Sequence, residues 1–508
     1  MLASLLARAA RQRPEHPAFS FEGRRWSFRE LDRDANRLAQ ALLAQGLAKG
    51  DRVATVLPNS AELYLFYWAA AKTGIVSVPM SPLLQGPGLA TLLRDSGARA
   101  VIASDATGKA VDAVRAELPE GESLIRLRTD GEGDGWRSLR ALMAAASDAA
   151  PADPGLEPGD IYNIIYSSGT TGLPKGIVHT HRIRADYGPM MSAAFAVRPD
   201  SVVLQTGSLV FNGAFIPMIA AAYQGATFHL HPKFDAAALV ETVAQERVTH
   251  VMLVPAQIAA LLAHPGATAE ALGSLECVLS LGAPLLLEHK QALIARLPRR
   301  LYELYGLTEG FATVLDRDDV ARKPGSVGGA MAYTDIRIVD AEGRDLPPGE
   351  VGEIVGRSGH VTPGYYNRPD LTAQAIRDGW VFTGDLGYLD EEGFLYLVDR
   401  KKDMIVSGGI NVYPRDIEEV AIGHPAVREA AAFGVPDDRW GEVPVIAVLV
   451  KEPVDADQLA AWINERVGAR YQRVKRVVVM DDFPRNVAGK TLKRELRAPY
   501  WKDRGRSI

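Results

Sequence analysis

The chain has 508 residues, of which 47% are hydrophobic and 23% are charged; this composition is ordinary for a soluble globular protein, and the length requires at least two domains. Its 57 Lys and Arg residues nearly balance 62 Asp and Glu residues, which excludes the broad basic surface of a nucleic-acid-binding protein. The single cysteine, Cys277, excludes an intramolecular disulfide framework and a cysteine-based zinc site, and its apolar neighbours predict a buried thiol rather than a nucleophile.

The N-terminal residues 1–16 are amphipathic and carry arginine, as transit peptides do. Patterns of folded structure begin almost at once, at residues 19–42, so the sequence predicts no removable leader and a cytoplasmic location. Residues 201–232 contain no Asp, Glu, Lys or Arg, but polar residues, glycines and Pro217 interrupt them. A membrane-spanning helix needs about 20 consecutive apolar residues, so we expect buried strands and helices there and no transmembrane segment.

Short β-branched runs alternate with helical patterns through the first three quarters of the chain. Residues 51–58, 76–82 and 99–105 are typical of strands, and residues 61–74 and 89–98 between them are typical of helices. The alternation returns over residues 248–297. Such a series implies crossover connections, so the sequence predicts an α/β fold with mostly parallel sheets.

Beyond about residue 320, closely spaced strands with Asp-Gly and Glu-Gly turns replace the crossovers, which predicts an antiparallel meander or a small barrel. A charged cluster follows at residues 399–402, and after it strands and helices alternate over about a hundred residues, the size of a small α+β domain. We therefore place the domain boundary there, with an N-terminal domain over 1–399 and a C-terminal domain over 400–508.

The segment Tyr166–Gly176, YSSGTTGLPKG, is rich in small residues and follows an apolar run. Nucleotide phosphates need backbone N–H groups and hydroxyls, glycines where a Cβ would block close approach, and a lysine to meet the charge. The segment supplies all three, although the spacing of Lys175 does not fit the Walker pattern GxxxxGK[ST]. A phosphate-binding loop of another kind and a plain flexible turn both fit the segment taken alone.

Three further segments contain side chains that suit nucleotide or metal binding. Tyr302–Gly310 places Thr308 beside Glu309, and a carboxylate near polyphosphate is what a hard cation such as Mg²⁺ requires. Gly379–Gly387 is expected to expose Asp385 in a Gly-flanked turn, where it would accept bonds from a ribose diol, and residues 484–496 present Lys490 on an expected loop. Each is an ordinary turn or a solvated charge when met singly, so their joint occurrence is the informative observation.

Together with residues 399–414, these segments resemble the adenylate-forming superfamily of acyl-CoA synthetases, adenylation domains and luciferases, and in particular the fatty-acyl-CoA and aryl- or hydroxycinnamoyl-CoA ligases. The resemblance covers essentially the whole chain. It implies a large N-terminal domain built from two αβ subdomains and a β-barrel, and a small mobile C-terminal domain.

The resemblance also implies the residues that hold ATP and Mg²⁺. These are Ser167, Ser168, Gly169, Thr170, Thr171, Gly172 and Lys175 at the β- and γ-phosphates, Gly282, Ala283, Pro284, Glu303, Tyr305 and Gly306 at the nucleotide base and beside it, Asp385 and Arg400 at the ribose, and Glu309 with Thr170 at Mg²⁺. Glu303 stands where the family commonly has Asn, Gln or Asp near the adenine amino group, and a carboxylate still accepts from that amine.

The catalytic set implied by the resemblance is Lys490, Glu309, Thr308 and Arg400, with Lys490 neutralising the substrate carboxylate and the α-phosphate together. In the family the C-terminal domain rotates between the two half-reactions, and the hinge position here is Lys402. For coenzyme A, the resemblance implies Gly408 and Gly409 at the pantetheine channel; Trp440, with Arg473 and Lys475, is expected near the nucleotide end, although Trp440 fits a half-buried packing role nearly as well.

The acid-binding pocket is expected to include Phe211, Asn212, Gly213 and Leu307. Many relatives carry a histidine at Phe211, and its absence makes the wall more apolar. The wall segment has no aspartate for a substrate ammonium, which argues against an amino-acid substrate. An aromatic or hydroxycinnamic acid and a medium- to long-chain fatty acid both fit, and Asn212 would bond either a ring substituent or the backbone.

The predicted reaction is AMP-forming ligation of a small-molecule carboxylic acid to coenzyme A, with ATP and Mg²⁺. The main alternative is a stand-alone adenylating enzyme that delivers the acyl group to a carrier protein. A binding module with a vestigial nucleotide site would be expected to lose some of Lys490, Glu309 and Arg400, which are all present, and no residue pattern supports an oxygen-dependent light-emitting enzyme. Nothing in the sequence sets the oligomeric state, which leaves a homodimer open.

Overall fold

The structure is a computed structural model, and it describes residues 2–118, 121, 123–167, 175–408, 410–485 and 491–502. Contacts divide the chain into two compact units, of which the first comprises Met1–Asp335 and Gly356–Val381 and the second comprises Ile336–Val355 and Phe382–Ile508. The boundaries between the two units fall inside strands of the glycine-rich region beyond residue 320. The predicted domain boundary at residues 399–402 therefore stays a prediction.

The described residues form fifteen α-helices, whose bounds are α1 Ala3–Gln12, α2 Phe28–Ala44, α3 Ala61–Thr73, α4 Gly86–Ser96, α5 Asp105–Val114, α6 Leu139–Ala145, α7 His181–Phe195, α8 Phe215–Gln224, α9 Ala236–Glu246, α10 Pro255–Ala263, α11 Leu287–Arg296, α12 Pro369–Ala375, α13 Pro414–Ile422, α14 Ala456–Arg466 and α15 Lys493–Trp501. They also form strands, which are β1 Pro17–Phe21, β2 Arg24–Ser27, β3 Arg52–Val56, β4 Val76–Met80, β5 Ala100–Ala103, β6 Ile125–Arg128, β7 Arg137–Ser138, β8 Ile161–Ser167, β9 Lys175–Thr180, β10 Val202–Gln205, β11 Thr227–Leu230, β12 His250–Leu253, β13 Cys277–Leu281, β14 Leu301–Gly306, β15 Ala312–Leu315, β16 Gly329–Ala330, β17 Thr334–Val339, β18 Gly352–Ser358, β19 Ile376–Arg377, β20 Trp380–Leu389, β21 Leu395–Arg400, β22 Ile405–Ser407, β23 Ile410–Val412, β24 Val427–Asp437, β25 Gly441–Val450 and β26 Val477–Met480.

The first unit contains two large sheets. One has seven strands in the order β7-β6-β5-β3-β4-β8-β9, and the other has nine in the order β16-β15-β14-β13-β12-β10-β11-β1-β2. Neighbouring strands are parallel in the middle of both sheets, and antiparallel pairs occur at the ends, such as β8 with β9 and β14 with β15. The predicted α/β fold with mostly parallel sheets is confirmed.

The helix boundaries follow from local chemistry. Ser27 and Glu30 form a capping box at the start of α2, which satisfies two backbone N–H groups that the first turn of a helix leaves unpaired. α3 begins after Ser60, whose hydroxyl accepts from Leu63 N, and ends at Gly74 with φ of 72°, a left-handed conformation that glycine adopts without strain. Because nearly every side chain of α3 is buried, it runs through the interior rather than along the surface.

The largest core cluster of the first unit includes side chains from both sheets and from helices α2, α3, α7 and α8. Val53 and Ile102 come from the seven-stranded sheet, and Val203 and Phe228 come from the nine-stranded sheet. These helices therefore share one apolar interior with both sheets, as layered α/β domains do. Cys277 is buried, and burial raises the pKa of its thiol.

The glycine-punctuated region forms a five-stranded sheet with the order β17-β18-β20-β19, in which β21 also pairs with β20. The C-terminal region has a further five-stranded sheet with the order β23-β22-β25-β24, in which β26 pairs with β25, and α13 and α14 contribute to its core. Residues 201–232 form β10, α8 and β11, and among the described residues no helix is long and apolar enough to cross a membrane.

Candidate functional site

The predicted phosphate loop joins two antiparallel strands, β8 and β9. Their register pairs Ser167 with Lys175, so the loop starts and ends at adjacent positions of a hairpin. Residues 168–174 lie outside the described residues, as does the side chain of Ser167. The phosphate-binding roles of Ser167, Ser168, Gly169, Thr170, Thr171 and Gly172 therefore stay predictions.

Lys175, Tyr365 and Glu309 form a line at the end of this hairpin. The Lys175 ammonium lies 5.3 Å from the centre of the Tyr365 ring, and the Tyr365 hydroxyl donates to Glu309 Oε1 at 2.8 Å. Burial and the nearby Glu309 carboxylate raise the pKa of Tyr365, which keeps its hydroxyl protonated as a donor. The structure thus brings the predicted phosphate-binding lysine and the predicted magnesium ligand to the same tyrosine.

Backbone contacts fix the turn that carries Thr308 and Glu309. Thr362 N donates to the Glu309 carbonyl at 2.7 Å, and His179 Nε2 donates to the Thr308 carbonyl at 2.8 Å. Gly310 has φ of 119° and lies so close to His360 that an added Cβ would meet the carbonyl oxygen at 2.0 Å. Segments from β9, β14 and residues 358–366 are therefore held together at this turn.

The donor set fits a magnesium ion carried by a nucleotide. The Tyr365 hydroxyl donates to Glu309 Oε1, and the described residues show no hydrogen bond to Oε2. Within the described parts of the chain, no cluster of three or more His, Cys, Asp or Glu residues could hold a metal ion. Mg²⁺ commonly uses one or two carboxylates with water and substrate phosphates, so Glu309 suits such an ion. Thr170, its other predicted ligand, lies outside the described residues.

The predicted base-binding residues follow adjacent strands. Gly282, Ala283 and Pro284 form an exposed turn after β13, and Tyr305 and Gly306 end β14. β13 and β14 are parallel neighbours, with Leu281 opposite Leu304. Ligands of open α/β sheets bind outside the carboxyl ends of such strands, so the turn and the end of β14 lie at a suitable edge.

Glu303 has a second interaction that the sequence did not indicate. Its side chain is buried in β14 and forms an ion pair with Lys290 of α11, which is equally buried. Lys290 Nζ also donates to the carbonyls of Pro324 at 2.9 Å and Ser326 at 3.2 Å. The pair connects α11 and the loop before β16 to β14, which carries the predicted base-binding residues, and the adenine role of Glu303 stays a prediction.

Lys290→Met is expected to lower the free energy of unfolding by about 3–5 kcal/mol, because it leaves the Glu303 carboxylate buried without its partner. Urea titration measures the change, with Lys233→Met at an exposed lysine as the control. The double variant Lys290→Met, Glu303→Leu removes both charges and is expected to recover most of the loss. A Lys290→Met protein as stable as the control would contradict the assigned pair.

The predicted acid pocket wall lies at the carboxyl end of β13. An added Cβ on Gly213 would come within 2.9 Å of Leu281 Cδ1, so only glycine allows this approach without movement. Phe211 is partly buried against the core cluster, and Leu307 is half-buried after β14. The buried Asn212 Oδ1 has no hydrogen-bond partner among the described residues.

Asp385 and Arg400 are paired positions of the antiparallel strands β20 and β21. Arg400 Nε lies 3.6 Å from Asp385 Oδ1. The expected Gly-flanked turn at Asp385 is wrong, because the residue lies inside β20: Gly384 adopts φ of 70° within the strand, and Asp385 N donates to the Thr383 hydroxyl at 2.9 Å. The ribose role is compatible with this position and stays a prediction.

Asp385→Asn is expected to raise KM for ATP by about 10- to 100-fold with a smaller change in kcat, because a neutral amide replaces a charged acceptor of two hydroxyl groups. Steady-state kinetics with ATP as the varied substrate measures the effect. Asp457→Asn, at an exposed position of α14, is the control and should leave KM unchanged. An Asp385→Asn enzyme with an unchanged KM for ATP would contradict the ribose assignment.

Two residues predicted for coenzyme A are in contact. Gly408 N donates to the Trp440 carbonyl at 2.7 Å, and a Cβ on Gly408 would lie 2.6 Å from the Trp440 ring. Trp440 is 47% exposed, and the Arg439 guanidinium lies 4.7 Å from the centre of its ring. Lys475 is paired at 3.1 Å with Asp437, which also accepts from Trp440 N.

The remaining predicted residues divide between described and undescribed positions. Lys402 is exposed just after β21, and its carbonyl accepts from Arg497 Nη1 at 3.3 Å. Lys490 and Gly409 lie outside the described residues, so their roles stay predictions. Tyr365 and His179 were not predicted from the sequence.

The comparisons agree with the resemblance read from the motifs. The family described as AMP-binding enzyme matches residues 6–366, well over half of the chain, and the AMP-binding enzyme C-terminal domain matches residues 416–490. A long-chain-fatty-acid–CoA ligase, FadD13 of Mycobacterium tuberculosis, is 36% identical over 94% of this chain and 93% of its own. A feruloyl-CoA synthase of Amycolatopsis sp is 36% identical over 98% of this chain and 99% of its own. The crystal structure of ATP-bound MatB from Rhodopseudomonas palustris covers 99% of both chains with a TM-score of 0.90 and 31% identity.

Proposed function

Since the chain belongs to the AMP-binding enzyme family and is an ATP-dependent acyl-CoA ligase, we propose that it activates a carboxylic acid with an apolar body, either an aromatic or hydroxycinnamic acid or a medium- to long-chain fatty acid. The carboxylate attacks the α-phosphorus of ATP, pyrophosphate leaves, and the acyl adenylate then reacts with the thiol of coenzyme A. Such phosphoryl chemistry needs positioning and electrostatic stabilisation rather than a protein nucleophile.

The observation that carries the proposal is the line from Lys175 through Tyr365 to Glu309. Lys175 would meet the phosphates of ATP, and Tyr365 orients the Glu309 carboxylate. A bound Mg²⁺ would supply neutralising charge beside the phosphates, with Glu309 as its protein ligand. Lys490 is proposed to neutralise the substrate carboxylate and the α-phosphate while the new bond forms.

The acid is proposed to lie along the wall formed by Phe211, Asn212 and Gly213. The wall carries no acidic side chain, so a substrate ammonium would lack a partner there. Asn212 Oδ1, which has no hydrogen-bond partner among the described residues, is an acceptor and suits a donor on the acid, such as a ring hydroxyl. Coenzyme A is proposed to pass the backbone at Gly408, with its nucleotide end near Trp440.

The acceptor is tested by incubating the purified chain with acid, Mg-ATP and coenzyme A and measuring the thioester. We expect acyl-CoA without any protein partner. Acyl transfer to a phosphopantetheinylated carrier protein, with none to coenzyme A, would favour the alternative of a stand-alone adenylating enzyme. A cytoplasmic location stays a prediction from the sequence.

A further inference from the structure

Arg184 is a fully buried cation whose two terminal nitrogens have no hydrogen-bond partner among the described residues. It lies in α7, is 0% exposed, and ranks first by volume among the fully buried side chains. Its Nε donates to Asn163 Oδ1 at 3.1 Å, whereas Nη1 and Nη2 make no hydrogen bond to any described residue. The guanidinium therefore presents unused N–H donors inside the protein.

The surroundings of Arg184 supply aromatic rings but no negative charge. The guanidinium lies 4.2 Å from the centre of the Phe215 ring and 5.1 Å from that of Tyr187. Among the described residues, no carboxylate forms an ion pair with it. Two buried histidines, His179 and His181, precede Arg184 by a few residues in the sequence. Burial lowers the pKa of His181 to about 4 and that of His179 well below its usual value, so both are neutral at pH 7.

Among the described residues, this buried guanidinium lacks the opposite charge that would offset the cost of its burial. Burying a charge is costly unless an opposite charge and hydrogen bonds accompany it, and an arginine stays protonated even where burial lowers its pKa. Cation–π contacts with Phe215 and Tyr187 offset only part of that cost. An anion with two acceptor oxygens would satisfy Nη1 and Nη2 together, because the planar guanidinium matches the geometry of a carboxylate.

Two neighbours of Arg184 connect it to parts of the candidate site. Phe215, whose ring contacts the guanidinium, begins α8 two residues after the wall segment Phe211–Gly213. Asn163, its hydrogen-bond partner, is the register partner of His179, whose Nε2 reaches the Thr308 carbonyl. The guanidinium is thus connected to the proposed acid pocket through one neighbour and to the Thr308–Glu309 turn through another.

We propose that Arg184 binds a second carboxylate of the substrate, so that this ligase activates an aryl or alkyl dicarboxylic acid. The inference rests on the proposed function and narrows its substrate class: one carboxylate reacts with ATP, the apolar body lies along the wall, and the other carboxylate bonds Nη1 and Nη2. Nucleotide phosphate is the other oxyanion available to the enzyme. The contact with Phe215, two residues beyond the wall segment, favours the acid.

The experiment compares matched acids that differ only in a second carboxylate. Octanoic acid is set against octanedioic acid, and 3-phenylpropanoic acid against its carboxyphenyl analogue, with pyrophosphate release as the readout. We expect the native protein to prefer the diacid of at least one pair by about 10- to 100-fold in kcat/KM, the range for a hydrogen-bonded charge pair. The same diacid, without ATP, should raise the melting temperature more than its monoacid does.

Arg184→Met keeps the length of the side chain and removes the charge. It is expected to lower kcat/KM for the preferred diacid by a similar factor, to leave the monoacid and the Kd of ATP unchanged, and to abolish the diacid-induced rise in melting temperature. Arg184→Lys should be intermediate. Arg182→Met, at an exposed arginine of the same helix, is the control and should behave as the native protein does.

The outcomes separate this inference from the proposed function. Pyrophosphate release that does not favour a diacid overturns the role of Arg184 and leaves the ligase activity standing. No pyrophosphate with any acid overturns the proposed function itself. If Arg184→Met weakens ATP binding and not diacid use, the bound anion is a phosphate and the inference is wrong. Should Arg184→Met fail to fold, the matched acids on the native protein and Arg184→Lys decide.

Discussion

Lys490→Ala is expected to slow acyl-adenylate formation by about 10²- to 10³-fold, the usual cost of losing one group that stabilises transition-state charge. The reason is electrostatic: the attacking carboxylate and the α-phosphate are both negative, and the lysine is proposed to neutralise them together as the bond forms. ATP binding should change little, because the variant keeps the predicted phosphate loop and the residues predicted to bind the ribose, Asp385 and Arg400. Pyrophosphate release in single-turnover experiments measures the first effect, and ATP binding by calorimetry measures the second.

A second readout separates a catalytic role of Lys490 from a structural one. Given preformed acyl adenylate and coenzyme A, the variant should make thioester at nearly the native rate, because the lysine is not assigned to that step. Lys502→Ala, at an exposed lysine beyond α15, is the control and should match the native protein in every assay. If adenylation by Lys490→Ala ran at the native rate, the assigned role would be wrong.

Glu309→Gln is the other change with a large expected effect, a fall in kcat of about 10²- to 10³-fold. Glutamine can still accept from Tyr365, so the hydrogen bond of 2.8 Å is preserved in kind while the negative charge is lost. The variant should need a higher Mg²⁺ concentration for half-maximal pyrophosphate release, because its protein ligand is weaker. Activity measured against Mg²⁺ at saturating ATP gives both quantities.

Two companion variants sharpen the Glu309 test. Tyr365→Phe keeps the ring beside Lys175 and removes only the hydroxyl, so we expect a fall of about tenfold, the value of one hydrogen bond to a charged group. Glu350→Gln alters an exposed carboxylate and should have no effect. Full activity of Glu309→Gln at ordinary Mg²⁺ concentrations would remove the carboxylate from the mechanism.

The alternation of strands and helices was readable from the sequence because its cause is local. Residues 51–105 were expected as strand, helix, strand, helix and strand, and the structure has β3, α3, β4, α4 and β5 there. The apolar periodicity that favours a helix or a strand depends on residues only a few positions apart in the sequence. Asp385 shows the limit: glycines on both sides favoured a turn, but pairing with β21 holds the residue inside a strand.

The parts of the site that the sequence did not predict depend on contacts between distant segments. Tyr365 donates a hydrogen bond to Glu309, which lies 56 residues earlier in the sequence. No local pattern distinguishes Tyr365 from the neighbouring Tyr366. Lys290 and Arg184 look like ordinary charges on amphipathic helices until the fold buries them. Burial of a charge is a property of the tertiary structure, and in this protein it produces the Lys290–Glu303 ion pair and the buried Arg184 guanidinium.

The proposed ligation reaction is tested most directly by pyrophosphate release from Mg-ATP by the purified chain across a panel of aryl, hydroxycinnamic, fatty and dicarboxylic acids, with and without coenzyme A. We expect release that requires an acid, accumulation of AMP rather than ADP, and an acyl-CoA product when coenzyme A is present. Absence of pyrophosphate with every acid, or ATP cleavage to ADP and phosphate, would contradict the proposed reaction.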